Sequence, residues 1–217
     1  MKIDTKKLTI LAMLAALAYV LMYFLRVPLM PMPPYLKYDP KDVIIVISGF
    51  MYGPLSAFSI AAVVSTLEMF TVSETGYWGL LMNILSSSVF ACTASAIYRW
   101  RRSILWAVIG LVCGALLTTG VMLLWNYLVV PIYLTIPRQA VAAMLVPVFL
   151  PFNLLKTGLN TGFAILLYKP LRLALTQARL MPVSEGKVRK IHPGVLAVSA
   201  LVVTTCILLI LAWRGII

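Results

Sequence analysis

The residues of this chain best placed to do chemistry are a few asparagines and a lysine set inside long apolar runs. Asn153, Lys156 and Asn160 recur at i, i+3 and i+7, a spacing that puts them on one helix face, with Phe149 one turn earlier. Carboxamides and an ammonium arranged in this way can hydrogen-bond a polar heterocycle while the aromatic ring covers its flat surface. Asn83, Asn126 and Glu68 are further polar side chains within apolar segments, and Trp125 and Tyr127 flank Asn126. Inside lipid a central charge costs roughly 2.5–3.5 kcal/mol, so such groups turn toward a protein interior or a wet cavity. A lone Asn also serves as glue between membrane helices. The stripe that includes a charged Lys156 points instead to a ligand. Glu68 has three readings: a partner for Lys156, a rim residue of a pocket, or a side chain reaching the headgroups.

The elements that must position these groups are apolar helices. Hydrophobic residues make up 62% of the 217 positions and charged residues 11%, an excess that a soluble domain cannot hide and that lipid can cover. The fold class is therefore all-α, a polytopic membrane protein. Apolar segments fall at about 8–25, 43–53, 54–71, 78–98, 104–129, 141–168 and 194–213, most of them near the length that crosses a bilayer. The first follows Lys2, Lys6 and Lys7 but continues through Tyr23 without a small-residue cleavage site, so it reads as a retained span. Gly53-Pro54 marks a turn within an otherwise continuous apolar stretch. Val27 to Pro40 is rich in proline and reads as a stiff extended loop.

Orientation follows from the basic residues. The chain has 18 Lys/Arg and a formal net charge of +12. Counted by alternate sides of the spans, 12 fall with Lys2, Lys6, Lys7, Arg99, Arg101, Arg102 and the 169–190 stretch, and 5 fall on the other side, with Lys156 inside a span. The positive-inside rule puts the N-terminus in the cytoplasm of a multi-pass protein of the cell membrane. In this frame Glu68, Asn83, Asn126, Asn153 and Lys156 gather in the outer half, beneath the Pro-rich loop. Basic residues beside spans orient the chain in the bilayer and do not form a nucleic-acid surface, so no nucleic-acid partner is expected. Cys92, Cys113 and Cys206 lie far apart in apolar runs, and His192 sits in a basic connector, so no metal site is expected. Trp78, Tyr133, Tyr35 and Tyr38 fit an aromatic belt at the interfaces. Ala12 and Ala16 form a small-xxx-small pair that lets another helix approach closely. The sequence has no phosphate-binding loop and no nucleophile–base constellation, so the reading is not an enzyme but a binding site without an engine.

The stretch Tyr35-Leu36-Lys37-Tyr38-Asp39-Pro40-Lys41-Asp42-Val43 resembles the loop of riboflavin-type S-components of energy-coupling factor (ECF) vitamin transporters. The resemblance continues through Gly49 to Leu55, Gly79 to Asn83 and Pro151 to Lys156, and covers about residues 5–175. It implies six transmembrane helices around an outward-facing vitamin pocket, with riboflavin as the transported ligand and no resident cofactor. It also implies a membrane coupling subunit and two cytoplasmic ATPase subunits as partners. Under the resemblance Asn126, Asn153 and Lys156 match riboflavin-contacting positions, Leu36, Lys37, Tyr38 and Asp39 cover the ligand, and Ala12 and Ala16 meet the coupling subunit. Asn83 and Asn160 complete the candidate binding set. An isoalloxazine imide edge, with two acceptors and a donor, suits carboxamides. The expected organisation is a substrate-binding domain at 1–176, a basic cytoplasmic connector at 177–193 and a further transmembrane helix at 194–217, which departs from the six-span pattern. The alternatives are a pocket for another vitamin or for FMN, whose phosphate would favour Lys156 and Lys37, or an autonomous secondary transporter that uses Glu68.

Overall fold

The structure is a computed structural model that describes residues 5–30, 36–177 and 193–215. Tyr35, His192 and nearly all of the expected connector at 177–193 lie outside the described residues. The elements run α1 (Thr5–Phe24), β1 (Val27–Pro28), β2 (Lys37–Tyr38), α2 (Lys41–Tyr52), α3 (Pro54–Thr71), α4 (Gly76–Arg101), α5 (Ile104–Leu134), α6 (Arg138–Met144), α7 (Leu150–Gln177) and α8 (Pro193–Trp213). Among the described residues, six helices are long and apolar enough to cross a membrane: α1, α3, α4, α5, the α6–α7 unit and α8. Helix is the required outcome, because a backbone in lipid has no water and must satisfy its N–H and C=O groups within the segment.

α2 differs from the rest. It has 12 residues, about 18 Å at the usual rise per residue and shorter than an ordinary span, yet it runs from Lys41, beside Asp39, to Tyr52, whose ring lies under Lys7. It is enclosed by α1, α3, α4 and α7, and Lys41 through Phe50 are all buried. Its run Val43-Ile44-Ile45-Val46-Ile47 is β-branched throughout, a composition that favours strands in water. The enclosure overrides that preference. A turn at Gly53 sends the chain back through α3, so α2 and α3 form a hairpin whose first arm is interior.

The helices stack into an antiparallel bundle with two unlike ends. One end holds Lys6, Lys7, Arg99, Arg101, Arg102 and Lys169; there Lys7 lies over the Tyr52 ring and Tyr98 and Tyr168 share a hydroxyl hydrogen bond of 3.1 Å. The other end, the loop end, carries Asp39, Asp42, Glu68 and Glu74, the acidic residues among those described. α4 and α5 pack most intimately. A Cβ added at Gly110 would lie 2.6 Å from the Ala94 carbonyl oxygen, and one at Gly114 would lie 2.7 Å from that of Phe90. Only glycine allows that approach.

The Pro-rich loop is not simply extended. Its two described arms pair antiparallel, Val27 opposite Tyr38 and Pro28 opposite Lys37. A two-residue ribbon tolerates Pro28, whose missing N–H falls at an edge. The unit that leads into α7 carries a π-helical turn at Leu145–Phe149, where the Leu150 N–H reaches back to the Leu145 carbonyl. Pro147 and Pro151 explain it: a proline ring clashes with the carbonyl four residues earlier, and widening the helix by one residue relieves that clash.

Candidate functional site

At the loop end the bundle opens into a cavity of about 630 Å³, including its part open to solvent. Its walls come from five regions: Arg26 and the loop residues Leu36, Lys37 and Asp39; Glu68 of α3 with Ser73, Glu74 and Thr75; Met82, Asn83 and Ser86 of α4; Met122 and Asn126 of α5; and Phe152, Asn153 and Lys156 of α7. The sequence-selected Leu36, Lys37, Asp39, Asn83, Asn126, Asn153 and Lys156 are thus brought together.

Tyr38 and Asn160 are not on that wall. Tyr38 alternates with Lys37 along β2 and points away, into an apolar cluster with Leu29, Met30, Phe149 and Phe152. Asn160 lies one turn deeper on α7 and donates its Nδ2 to Asp42 Oδ2 at 3.1 Å. The expected stripe therefore divides: Asn153 and Lys156 line the cavity and Asn160 braces its floor. Phe149 is fully buried in the same apolar cluster. Phe152 and Met122 supply the apolar walls expected of Phe149, Trp125 and Tyr127.

Both key carboxamides are preset by their own helices. Asn126 donates to the Met122 carbonyl and Asn153 to the Phe149 carbonyl, each at 2.7 Å. This back-bond fixes the rotamer and satisfies one N–H. Among the described residues the buried Asn126 Oδ1 has no hydrogen-bond partner. A buried unpaired acceptor costs roughly 1–3 kcal/mol, which a ligand donor would recover.

The floor is an ionic network that the sequence reading largely missed. Lys41 is wholly buried at the start of α2. It hydrogen-bonds Glu68 and lies 3.6 Å from Asp39 Oδ1. Arg26 reaches Glu68 at 3.7 Å and donates to the Val72 carbonyl at 2.8 Å. Lys156 sits between Asp39 at 3.7 Å and Asp42 at 3.8 Å. Asp42 also accepts a hydrogen bond from Ser87. Three cations thus face three carboxylates, the balance that buried charge requires. Glu68 is therefore held by Lys41 and Arg26, not by Lys156. Burial acts against the Asp39 carboxylate, but Lys156, Lys41 and Arg26 together hold its pKa below the ordinary value. At the rim Lys37 hydrogen-bonds Glu74 and lowers its pKa.

In the sequence Lys41 and Asp42 stand at the end of the family-like stretch, just ahead of the apolar segment that begins at Val43. The signal that marks them is their spacing from Asp39, with Asp42 in the first turn of α2, where a carboxylate meets the positive end of the helix. Ala12 and Ala16 lie far from the cavity, on the exposed face of α1.

Residues 6–168 match the family described as the substrate-specific component of the ECF transporter. The chain is 34% identical over 174 residues to the riboflavin transporter RibU of Staphylococcus aureus, covering 77% of this chain and 91% of that protein. It is 28% identical over 183 residues to the riboflavin transporter FmnP of Bacillus subtilis, covering 80% and 96%. A solved S component of a bacterial ECF transporter superposes with a TM-score of 0.69 at 31% identity, over 80% of this chain and 99% of that one. The chain belongs to the family of ECF transporter substrate-specific components.

Proposed function

We propose that this chain captures riboflavin in the cavity at the loop end and passes it to the cytoplasm with the help of separate subunits. The observation that carries the reading is the pair of back-bonded carboxamides, Asn126 and Asn153, which line one cavity together with Leu36, Met122 and Phe152. Similarity to proteins named riboflavin transporters supports the choice of ligand. The isoalloxazine imide edge needs donors and acceptors at fixed positions, and its ring system needs flat apolar contact. The wall provides both. The balanced charge of the floor suits a neutral vitamin better than FMN, because Arg26, Lys41 and Lys156 already have carboxylate partners.

The N-terminus is cytoplasmic in this reading, since the basic end then faces inward and the cavity faces outward. A membrane coupling subunit and a pair of ATPases supply the energy. The exposed Ala12–Ala16 face of α1 is the contact for the coupling subunit, small enough for a helix to pack closely. The autonomous-transporter alternative needs a carboxylate free to load and unload an ion. Lys41 and Arg26 occupy Glu68.

The test is the purified protein itself. It should emerge yellow or, once stripped, bind riboflavin with quenching of flavin and tryptophan fluorescence. A colourless protein whose titration shows no affinity would sink the proposal. In vesicles without ATPase subunits the chain should give no uptake; uptake that Glu68→Gln abolishes would favour the secondary transporter.

A further inference from the structure

α8 lies beyond the family match, which ends at residue 168, and none of its residues lines the cavity. It packs on α7 through one narrow face. Its buried residues are Ser199, Val203 and Cys206, spaced i, i+4 and i+7. The facing positions on α7 are Gly158 and Gly162. A Cβ at Gly162 would lie 2.4 Å from Val203 Cγ2 and 3.2 Å from the Ser199 carbonyl oxygen, and one at Gly158 would lie 3.4 Å from the Cys206 sulfur. The helices therefore touch nearly backbone to backbone.

The consequence appears on the far side of that contact. Val203 and Cys206 belong to the same apolar cluster as Leu29, Met30, Leu36 and Tyr38, the described arms of the loop, and Phe152 of α7. Leu36 and Phe152 also face the cavity. Among the described residues the buried Tyr38 hydroxyl has no hydrogen-bond partner, and the side chain sits in apolar packing.

We infer that α8 is a built-in support for the cavity wall: through Val203 and Cys206 it holds the loop arms in place and slows the escape of bound ligand. This rests on the reading of the cavity as the ligand site. A ligand that must displace Leu36 to leave must first loosen the cluster behind it. Val203 and Cys206 are positioning residues that never meet the ligand. Their effect falls on dissociation, because the arms are already seated in the bound state.

The experiment uses the full chain in lipid nanodiscs, with riboflavin release followed by stopped-flow fluorescence. Val203→Ala, and Gly162→Leu, which forces α8 outward, should each speed release by about fivefold or more and change association by less than about twofold. Adding Val203→Ala to Tyr38→Ala should give little further change, because the two act through one cluster; additive effects would count against the inference. In the ligand-free protein the same variants should be cut faster by trypsin after Lys37, since the arm opens more often. Unchanged release in both variants, whatever the cleavage rate, overturns the inference. If the wild type binds no riboflavin, the proposed function falls, and the cleavage rates then decide whether α8 restrains the arms.

Discussion

α2 and α8 are both apolar helices of the same bundle, and they could hardly be used more differently. α8 has 21 residues and buries only Ser199, Val203 and Cys206 among its side chains. α2 has 12 residues and is buried from Lys41 to Phe50. The most apolar helix is the one outside the family match, and the short interior helix carries the ionic floor of the cavity. Apolarity in a membrane protein reports what a segment tolerates, lipid or protein. It does not report which of the two it meets.

The largest test of that contrast is Lys41. Removing its charge leaves Glu68 and Asp39 buried with one cation fewer, so Lys41→Met should destabilise the protein by about 3–5 kcal/mol. Thermal unfolding of the detergent-solubilised protein reads this directly. Lys41→Met combined with Glu68→Gln should recover part of the loss, because the unpaired carboxylate is then gone. A Lys41→Met protein as stable as wild type would mean that α2 is not tied down by its charges.

A matched pair of truncations sharpens the comparison. Ile45 is fully buried in α2 and Leu201 is well exposed on α8. Ile45→Ala should cost about 2 kcal/mol, the low end of the range for core truncation, because the loss in a membrane is of packing contacts more than of dehydration. Leu201→Ala exchanges one lipid contact for another and should stay within about 0.5 kcal/mol. Equal costs in the same unfolding assay would erase the distinction between interior and peripheral helices. The cavity residues should behave in a third way. Asn126→Ala and Asn153→Ala should each weaken riboflavin binding by about 1–3 kcal/mol in a fluorescence titration. Unfolding of the ligand-free protein should hardly move, because each carboxamide bonds only within its own helix.

Much of this arrangement was legible in the residues. The apolar runs mark most helix bounds to within a few positions, as with 194–213 against Pro193–Trp213, although α5 continues five residues past its run to Leu134 and α7 nine past its run to Gln177. Asn126, Asn153 and Lys156 reach one cavity because a polar side chain in a lipid-facing run has nowhere else to go. Asn160 shares their face but lies a turn deeper, where it meets Asp42 before it meets the cavity, and helical spacing fixes the face and not the depth. Lys41 and Asp42 escaped notice for the opposite reason. They border an apolar run, where charges normally reach water, and only the pairing of Val27 with Tyr38 brings the loop across them. Tyr38 sits behind the cavity wall because a strand alternates: with Lys37 facing the cavity, its neighbour faces away. None of these outcomes is contained in local spacing.

The smallest effect expected is at the rim, and its sign follows from the carboxylates. Lys37 lowers the pKa of Glu74 by a hydrogen bond and by its charge, and Asp39 is held low by Lys156, Lys41 and Arg26 despite its burial. A carboxylate with a depressed folded pKa contributes stability that is fully present above its unfolded value and lost as pH falls through its folded value. Stability should therefore be flat around neutrality and decline as the pH drops below about 5, toward the ordinary carboxylate range. Glu74 is exposed, so water screens its pair, and Glu74→Gln should change the acid limb by only a few tenths of a kcal/mol. Asp39 is enclosed with its three cations, and Asp39→Asn should flatten that limb much more. Acid unfolding of the two variants separates these contributions. If Glu74→Gln flattened the curve as much as Asp39→Asn, the rim and the floor would be electrostatically equivalent, and the enclosure of α2 would not govern the strength of its ion pairs.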